Sequence, residues 1–170
     1  MRLHLEGRAR VLGDDVNTDY IITSARKRET IDADVLKRYL LETLDAGFAA
    51  SVQLGDLLVA GRNFGCGSAM EVAVTVPCAA GFRAVLARSF ARTYYRNAIN
   101  NGLIPVECDT TDIREGDRLI VDLGSELTAR NETQGVSIAA RALPVHMLRI
   151  LEAGGLVPYF RAQRGFDVTR

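Results

Sequence analysis

The sequence has little that would commit it to a metal, a membrane or a nucleic acid. It holds two histidines and three cysteines in 170 residues. Cys66, Cys78 and Cys108 are widely and irregularly spaced, and they match neither a disulfide framework nor a zinc or iron–sulfur ligand pattern. His4 and His146 stand far from them in the chain, so no metal constellation can be written. Cys78 and Cys108 are expected to be small buried hydrophobes, as free cysteine usually is. Charge of one sign is also missing. The 21 basic residues balance 21 acidic ones, which gives no support to a nucleic-acid or membrane-surface role. No apolar run approaches the roughly 20 residues of a membrane span. Met1 to Gly7 is too charged and too short in its apolar part for a signal peptide, so a cytoplasmic protein is expected. Repeats and low-complexity segments are absent.

What is present fits one globular domain over residues 1–170. Arg2 to Leu12 alternates loosely and reads as a strand broken near Gly7. Gly13 to Asp19 is a cluster of turn formers. Thr23 to Glu29 is polar and basic and reads as an exposed loop. Asp32 to Leu44 carries Val35, Leu36, Tyr39, Leu40 and Leu44 at helical spacing, which predicts a helix packed on one face. Residues 47–54 connect it to a strand at Asp56–Ala60. A helix over Ala69–Ala80, a strand over Phe82–Ala87, a helix over Phe90–Asn100 and a strand over Leu103–Glu107 follow. This alternation implies parallel strands joined by right-handed crossovers. Beyond it, residues 117–123, 126–131 and 136–140 read as an antiparallel meander. Pro144 then opens a last helix that ends before Gly154-Gly155. The fold class is α/β, with a mixed parallel and antiparallel sheet flanked by helices.

The chain is organised around Gly61-Arg62-Asn63-Phe64-Gly65-Cys66-Gly67-Ser68-Ala69-Met70-Glu71, a glycine-rich loop between strand and helix. Glycine admits positive φ and close approach of other groups to the backbone. Exposed N–H groups at a helix N-terminus suit a carboxylate or phosphate. Ser68 and Glu71 also form S-x-x-E, a capping box, in which the hydroxyl serves only to start the helix. Both readings stand on the pattern alone, although the glycines exceed what a cap requires. Pro77 is expected to end or kink the helix. The loop is neither G-x-G-x-x-G nor a P-loop with its lysine. Cys66 near a helix N-terminus favours thiolate, but no histidine base or second cysteine is close in sequence.

Arg62-Asn63-Phe64-Gly65-Cys66-Gly67-Ser68, with Glu71 and Ala73, resembles the signature loop of the 3-isopropylmalate dehydratase small-subunit family of the aconitase superfamily. Asp15-Val16-Asn17-Thr18-Asp19-Tyr20-Ile21-Ile22 is similar to that family's D-x-x-x-T-D-x-I-I segment. Ser89-Phe90-Ala91-Arg92, with Arg96, Asn97, Asn100, Gly102 and Leu103, is similar to its S-F-A-R block. The resemblance implies a swivelling β/β/α domain that serves a hydro-lyase, interconverting hydroxy-acids through an enoate. It implies a separate large subunit carrying a [4Fe-4S] cluster whose open iron acts as a Lewis acid, and no cofactor bound by this chain. It implies a di- or tricarboxylate substrate, and Ser68 as the base that takes the proton from carbon. Gly67, Ala69 and Met70 then fall among the substrate-binding positions.

The chain departs from the family where the family usually reads G-S-S-R-E-H. Here the residues are Gly67-Ser68-Ala69-Met70-Glu71-Val72. In the family the second serine and the arginine hold a substrate carboxylate, and a thioether cannot replace a bidentate guanidinium. Arg26 or Arg28, in the basic stretch where the family keeps its specificity loop, is expected to supply the missing charge. As solvated surface charges they would do nothing. Met70 and Val72 can also make the site more apolar, for isopropylmalate or for another alkyl-substituted malate or citrate. Arg92 and Arg96 share a helix face and either line the cleft or pair at the surface. A paralogue that has lost catalysis and binds an anion or a partner as a regulator, and a free-standing phosphate-binding module, are the competing functions.

Overall fold

The alternating apolar runs assemble into one seven-stranded mixed sheet in the computed structural model, which describes residues 3–163. Arg2, the first residue of the expected opening strand, lies outside the described residues. The elements begin with β1 (Leu3–Val11), α1 (Thr18–Ile21), α2 (Ser24–Glu29), α3 (Ala33–Leu36, running into a 3-10 turn at Lys37–Tyr39) and α4 (Phe48–Ser51). Next come β2 (Leu57–Ala60), α5 (Val72–Ala79), β3 (Ala84–Ala87), α6 (Arg92–Asn100) and β4 (Ile104–Glu107). β5 (Arg118–Leu123), β6 (Leu127–Asn131), β7 (Val136–Ile138), α7 (Val145–Glu152) and α8 (Leu156–Ala162) complete the described chain. None of these helices is long and apolar enough to cross a membrane.

The strand order is β4-β3-β2-β1-β5-β6-β7. β1 to β4 are parallel neighbours, and β5 to β7 form the antiparallel meander. β1 belongs to both halves: Leu3–Arg8 pair with β5, and Ala9–Val11 pair with β2. β2 and β3 are buried along their whole length, which is why they read as unbroken apolar runs. Alternate residues of β2 serve two cores. Leu58 and Ala60 face a cluster with Ile21, Leu36, Phe64 and Phe82. Leu57 and Val59 face a second cluster with Leu119, Val121, Leu148 and Leu151.

The strand is not broken at Gly7, which pairs with Leu119 inside β1. Its glycine is required because a Cβ there would stand 1.7 Å from the Gly55 carbonyl oxygen. The basic stretch expected as a loop is the helix α2, capped by the Thr23 hydroxyl, which accepts from the Arg26 N–H at 3.2 Å. The helix expected over 32–44 starts at Asp32, whose carboxylate accepts from the Asp34 N–H, but it tightens and stops. Leu36, Leu40 and Leu41 are all fully buried, and placing the last two takes Leu41 to a φ of 56°. Pro77 lies inside α5 rather than ending it. Proline leaves the carbonyl four residues back without its amide. That carbonyl, Ala73 O, instead accepts the Tyr94 phenol at 3.1 Å, so a side chain of α6 completes the helix. The final expected helix is α7, and α8 after Gly154-Gly155 is an addition to it.

Candidate active site

Because β1, β2 and β3 run parallel, the segments that follow them leave the same edge of the sheet. This carboxyl edge is where open α/β sheets bind ligands. Asp14–Asp19, the glycine loop and Arg88–Ala91 meet there through main-chain and side-chain bonds. The Gly65 N–H donates to Val16 O at 2.9 Å and the Thr18 N–H to Cys66 O at 2.8 Å. The Phe64 N–H donates to Ser89 O at 3.0 Å, and the Ala91 N–H returns a bond to Phe64 O at 2.9 Å. Phe64, fully buried, fixes the loop from below with its ring edge-on to Tyr94 at 5.1 Å and to Phe90 at 6.1 Å.

Asp14 and Asp15 do more than form a turn. Asp14 Oδ1 accepts the Arg62 N–H at 2.7 Å and an Arg88 guanidinium N–H at 2.9 Å. The Arg62 amide above all holds the Asp14 carboxyl below its ordinary range; burial opposes it, and the Arg88 and Arg62 guanidinium groups add to the lowering. Asp15 Oδ1 accepts from the Asn63 side-chain amide at 2.9 Å, and both residues have positive φ. The sequence offered only turn composition here, and that does not reveal which backbone donors the carboxylates meet.

All three loop glycines are required by space, and at Gly61 a Cβ would stand 1.8 Å from Asp14 Oδ1. A Cβ on Gly65 (φ 79°) would stand 2.1 Å from the Tyr94 ring, and one on Gly67 (φ 91°) 2.5 Å from the Asn17 side chain. Gly65→Ala combines left-handed backbone with a clash in a filled core. We expect it to lose on the order of 2–5 kcal/mol, read as a lower midpoint in urea unfolding.

The capping box does not form. α5 begins at Val72 after Glu71, and no side chain caps it. Ser68 is exposed three residues earlier in an open bend, and among the described residues its hydroxyl makes no hydrogen bond. Its carbonyl instead accepts the buried Thr18 hydroxyl at 2.8 Å. Among the described residues, the amides from Ser68 to Glu71 donate to no protein acceptor. The loop therefore presents a run of free N–H groups beside a free hydroxyl, with Gly67, Ser68 and Ala69 exposed.

The other expected site residues divide. Met70 is 4% exposed and packs in the core cluster with Val16, Ile21 and Phe64, as does Val72. Neither side chain forms an apolar wall on the exposed face of the loop. The Arg26 guanidinium is engaged: it donates to Glu42 at 2.9 and 3.3 Å and lies 3.7 Å over the Tyr39 ring. Arg28 is exposed, its guanidinium makes no hydrogen bond among the described residues, and it favours ionised Asp19 through space. Asp19 is held low chiefly by the Ser24 hydroxyl and amide, both at 2.6 Å, which tether the start of α2 to α1. Arg92 and Arg96 are exposed on α6. Cys108 is buried and Cys78 partly so, and burial pushes their thiols up to about 12 and about 11. No group of three or more histidine, cysteine, aspartate or glutamate side chains that could hold a metal comes together among the described residues.

Residues 19–111 match the family described as the aconitase C-terminal domain. The 3-isopropylmalate dehydratase small subunit 1 of Methanopyrus kandleri is 45% identical over 171 residues, covering 98% of this chain and 99% of that protein. The chain belongs to the aconitase C-terminal domain family, among the small subunits of 3-isopropylmalate dehydratase. A crystal structure of 3-isopropylmalate dehydratase from Methanocaldococcus jannaschii superposes on this aconitase-family chain with a TM-score of 0.86 at 40% identity. That match covers 95% of this chain and 96% of the other. The methanogen homoaconitase small subunit of the same organism is 42% identical over 163 residues, covering 94% of this chain and 93% of that protein. The three segments that resemble motifs of this family are the ones that meet at the sheet edge. Of the three positions expected to depart from the motif that the loop resembles, Met70 and Val72 are buried and Ala69 is exposed.

Proposed function

We propose that this chain is the catalytic small subunit of 3-isopropylmalate dehydratase, with Ser68 as the base. The observation that carries the proposal is an exposed Ser68 hydroxyl, free of any capping bond, beside unpaired main-chain amides at the carboxyl edge of the sheet. The larger partner implied by the relatives' small-subunit names holds the [4Fe-4S] cluster, which supplies Lewis-acid activation of the leaving hydroxyl. Ser68 Oγ takes the proton from carbon, the C–H electron pair becomes the enoate double bond, and the hydroxyl departs with the C–O electron pair as hydroxide, which with the proton held by Ser68 makes up the water eliminated. Readdition of water with the opposite placement of proton and hydroxyl gives the isomer. A serine is a base only if its alkoxide is stabilised, and fixed N–H donors in a closed site do this.

The amides following Ser68 and the unpaired guanidinium of Arg28 take over the substrate carboxylate that a family arginine would hold. Gly67 and Ala69 leave the approach to those amides open. Arg26 acts from behind, fixing α2 on Glu42 and Tyr39, and Met70 anchors the loop in the core. Three free thiols suit a reducing compartment such as the cytoplasm.

The test is a panel of substituted malates and citrates offered to the chain co-assembled with its large subunit. Arg28→Ala is expected to raise KM for the preferred acid about 10- to 100-fold with a smaller effect on kcat. An unchanged KM removes Arg28 from the site. The likeness to a homoaconitase small subunit favours a second reading, turnover of a longer tricarboxylate, which the same panel distinguishes.

A further inference from the structure

We infer that Thr18 is a positioning residue for the reaction: its buried hydroxyl, donating to the Ser68 carbonyl at 2.8 Å, fixes the backbone from which the Ser68 base projects. The inference rests on the reading of Ser68 as base. Segment 16–18 runs alongside segment 65–68 as a short parallel ladder. Its rungs are the Gly65 N–H to Val16 O, the Thr18 N–H to Cys66 O and, last, the Thr18 hydroxyl to Ser68 O. The final rung is a side chain, because the main chain has by then turned into α1 and the amides of residues 19–21 bond back to Asn17.

Thr18 is 2% exposed, while Ser68 is exposed. The bond therefore joins a rigid donor to an otherwise open bend. No cap holds Ser68 toward α5, and the residue before it is a glycine with φ 91°. Without this bond the peptide on either side of Ser68 is free to rotate. Displacement of a reacting group by about 1 Å is enough to cost about 10²-fold in rate.

Thr18→Val keeps shape and burial and removes only the donor, and Thr18→Ser keeps the donor and removes only the methyl. In the complex with the large subunit, Thr18→Val is expected to lower kcat about 10- to 100-fold with KM within about twofold, and Thr18→Ser to stay near wild type. In the isolated full chain, Thr18→Val is expected to speed exchange of the Gly65 amide, whose bond to Val16 O belongs to the same ladder, and Thr18→Ser to leave it unchanged. That second readout needs neither partner nor cluster, and it stands if Thr18→Val does not assemble.

Wild-type kcat in Thr18→Val, with Ser68→Ala inactive, overturns the role of Thr18 alone. Thr18→Ser as impaired as Thr18→Val, or exchange unchanged in both, overturns it too, since the methyl rather than the hydroxyl would matter. Full turnover in Ser68→Ala overturns the reading of Ser68 as base, and this inference with it.

Discussion

Ser68→Ala is expected to lower kcat of the assembled enzyme by about 10²- to 10⁴-fold, the span that a positioned general base contributes. KM and the thermal midpoint are expected to stay near wild type. The separation follows from where the residue sits. The Ser68 side chain is exposed and bonds to nothing among the described residues, so its loss leaves no buried group unsatisfied. Its main chain is what the fold uses, through the Thr18 hydroxyl, and alanine keeps that carbonyl. Had the hydroxyl closed the capping box with Glu71, alanine would instead cost about 0.5–2 kcal/mol of stability. Steady-state kinetics beside a melting curve therefore separates the two roles. Lost turnover with an unchanged midpoint is the catalytic signature, and a lowered midpoint with retained turnover is the structural one.

Asp56→Asn is expected to destabilise the chain by about 1–3 kcal/mol, the range for weakening buried hydrogen bonds to a charged group. Asp56 is 2% exposed at the entry to β2. Its carboxylate accepts from Arg8 at 2.8 and 3.1 Å, from Arg10 at 3.2 Å and from the Gln53 N–H at 3.0 Å. The Arg10 side chain is only 7% exposed and stacks over Phe48 at 4.5 Å, so it cannot turn to water once Asp56 is neutral. Glu115 and Ser51 remain as its partners. Urea unfolding of Asp56→Asn against wild type reads the loss.

The same carboxylate gives a pH dependence. Burial opposes ionisation of Asp56, but the bonds from Arg8, Gln53 and Arg10 outweigh it and hold the group below its ordinary value. A group depressed in the folded state contributes stability that is complete above the unfolded value, about 3.9 for aspartate. That contribution is lost as pH falls through the folded value. The wild-type midpoint is expected to fall on acidification below about pH 4, and Asp56→Asn to lack that part of the fall.

The parallel unit, the meander and the position of the glycine loop were legible because buried strands and turn residues leave local marks. α2 was not legible. Ser24–Glu29 buries nothing, so no apolar stripe announces the helix, and only the Thr23 cap and good helix formers pointed to it. The helix expected over 32–44 failed where tertiary packing required both Leu40 and Leu41 inside. S-x-x-E could not decide the state of Ser68, because the deciding bond comes from Thr18, fifty residues earlier. Arg26 and Arg28 looked equivalent in a run of charges. What separates them is Glu42 and Tyr39, which occupy only Arg26. Met70 looked like part of the exposed loop, and only the packing around Val16, Ile21 and Phe64 shows it turned inward.

The most direct test of the central claim is the enoate absorbance that appears when 3-isopropylmalate is mixed with this chain and its large subunit, assembled anaerobically with the cluster intact. The account predicts absorbance that needs both subunits and disappears in Ser68→Ala. A complex with an intact cluster that produces no enoate from 3-isopropylmalate, or one in which Ser68→Ala works as well as wild type, would contradict it.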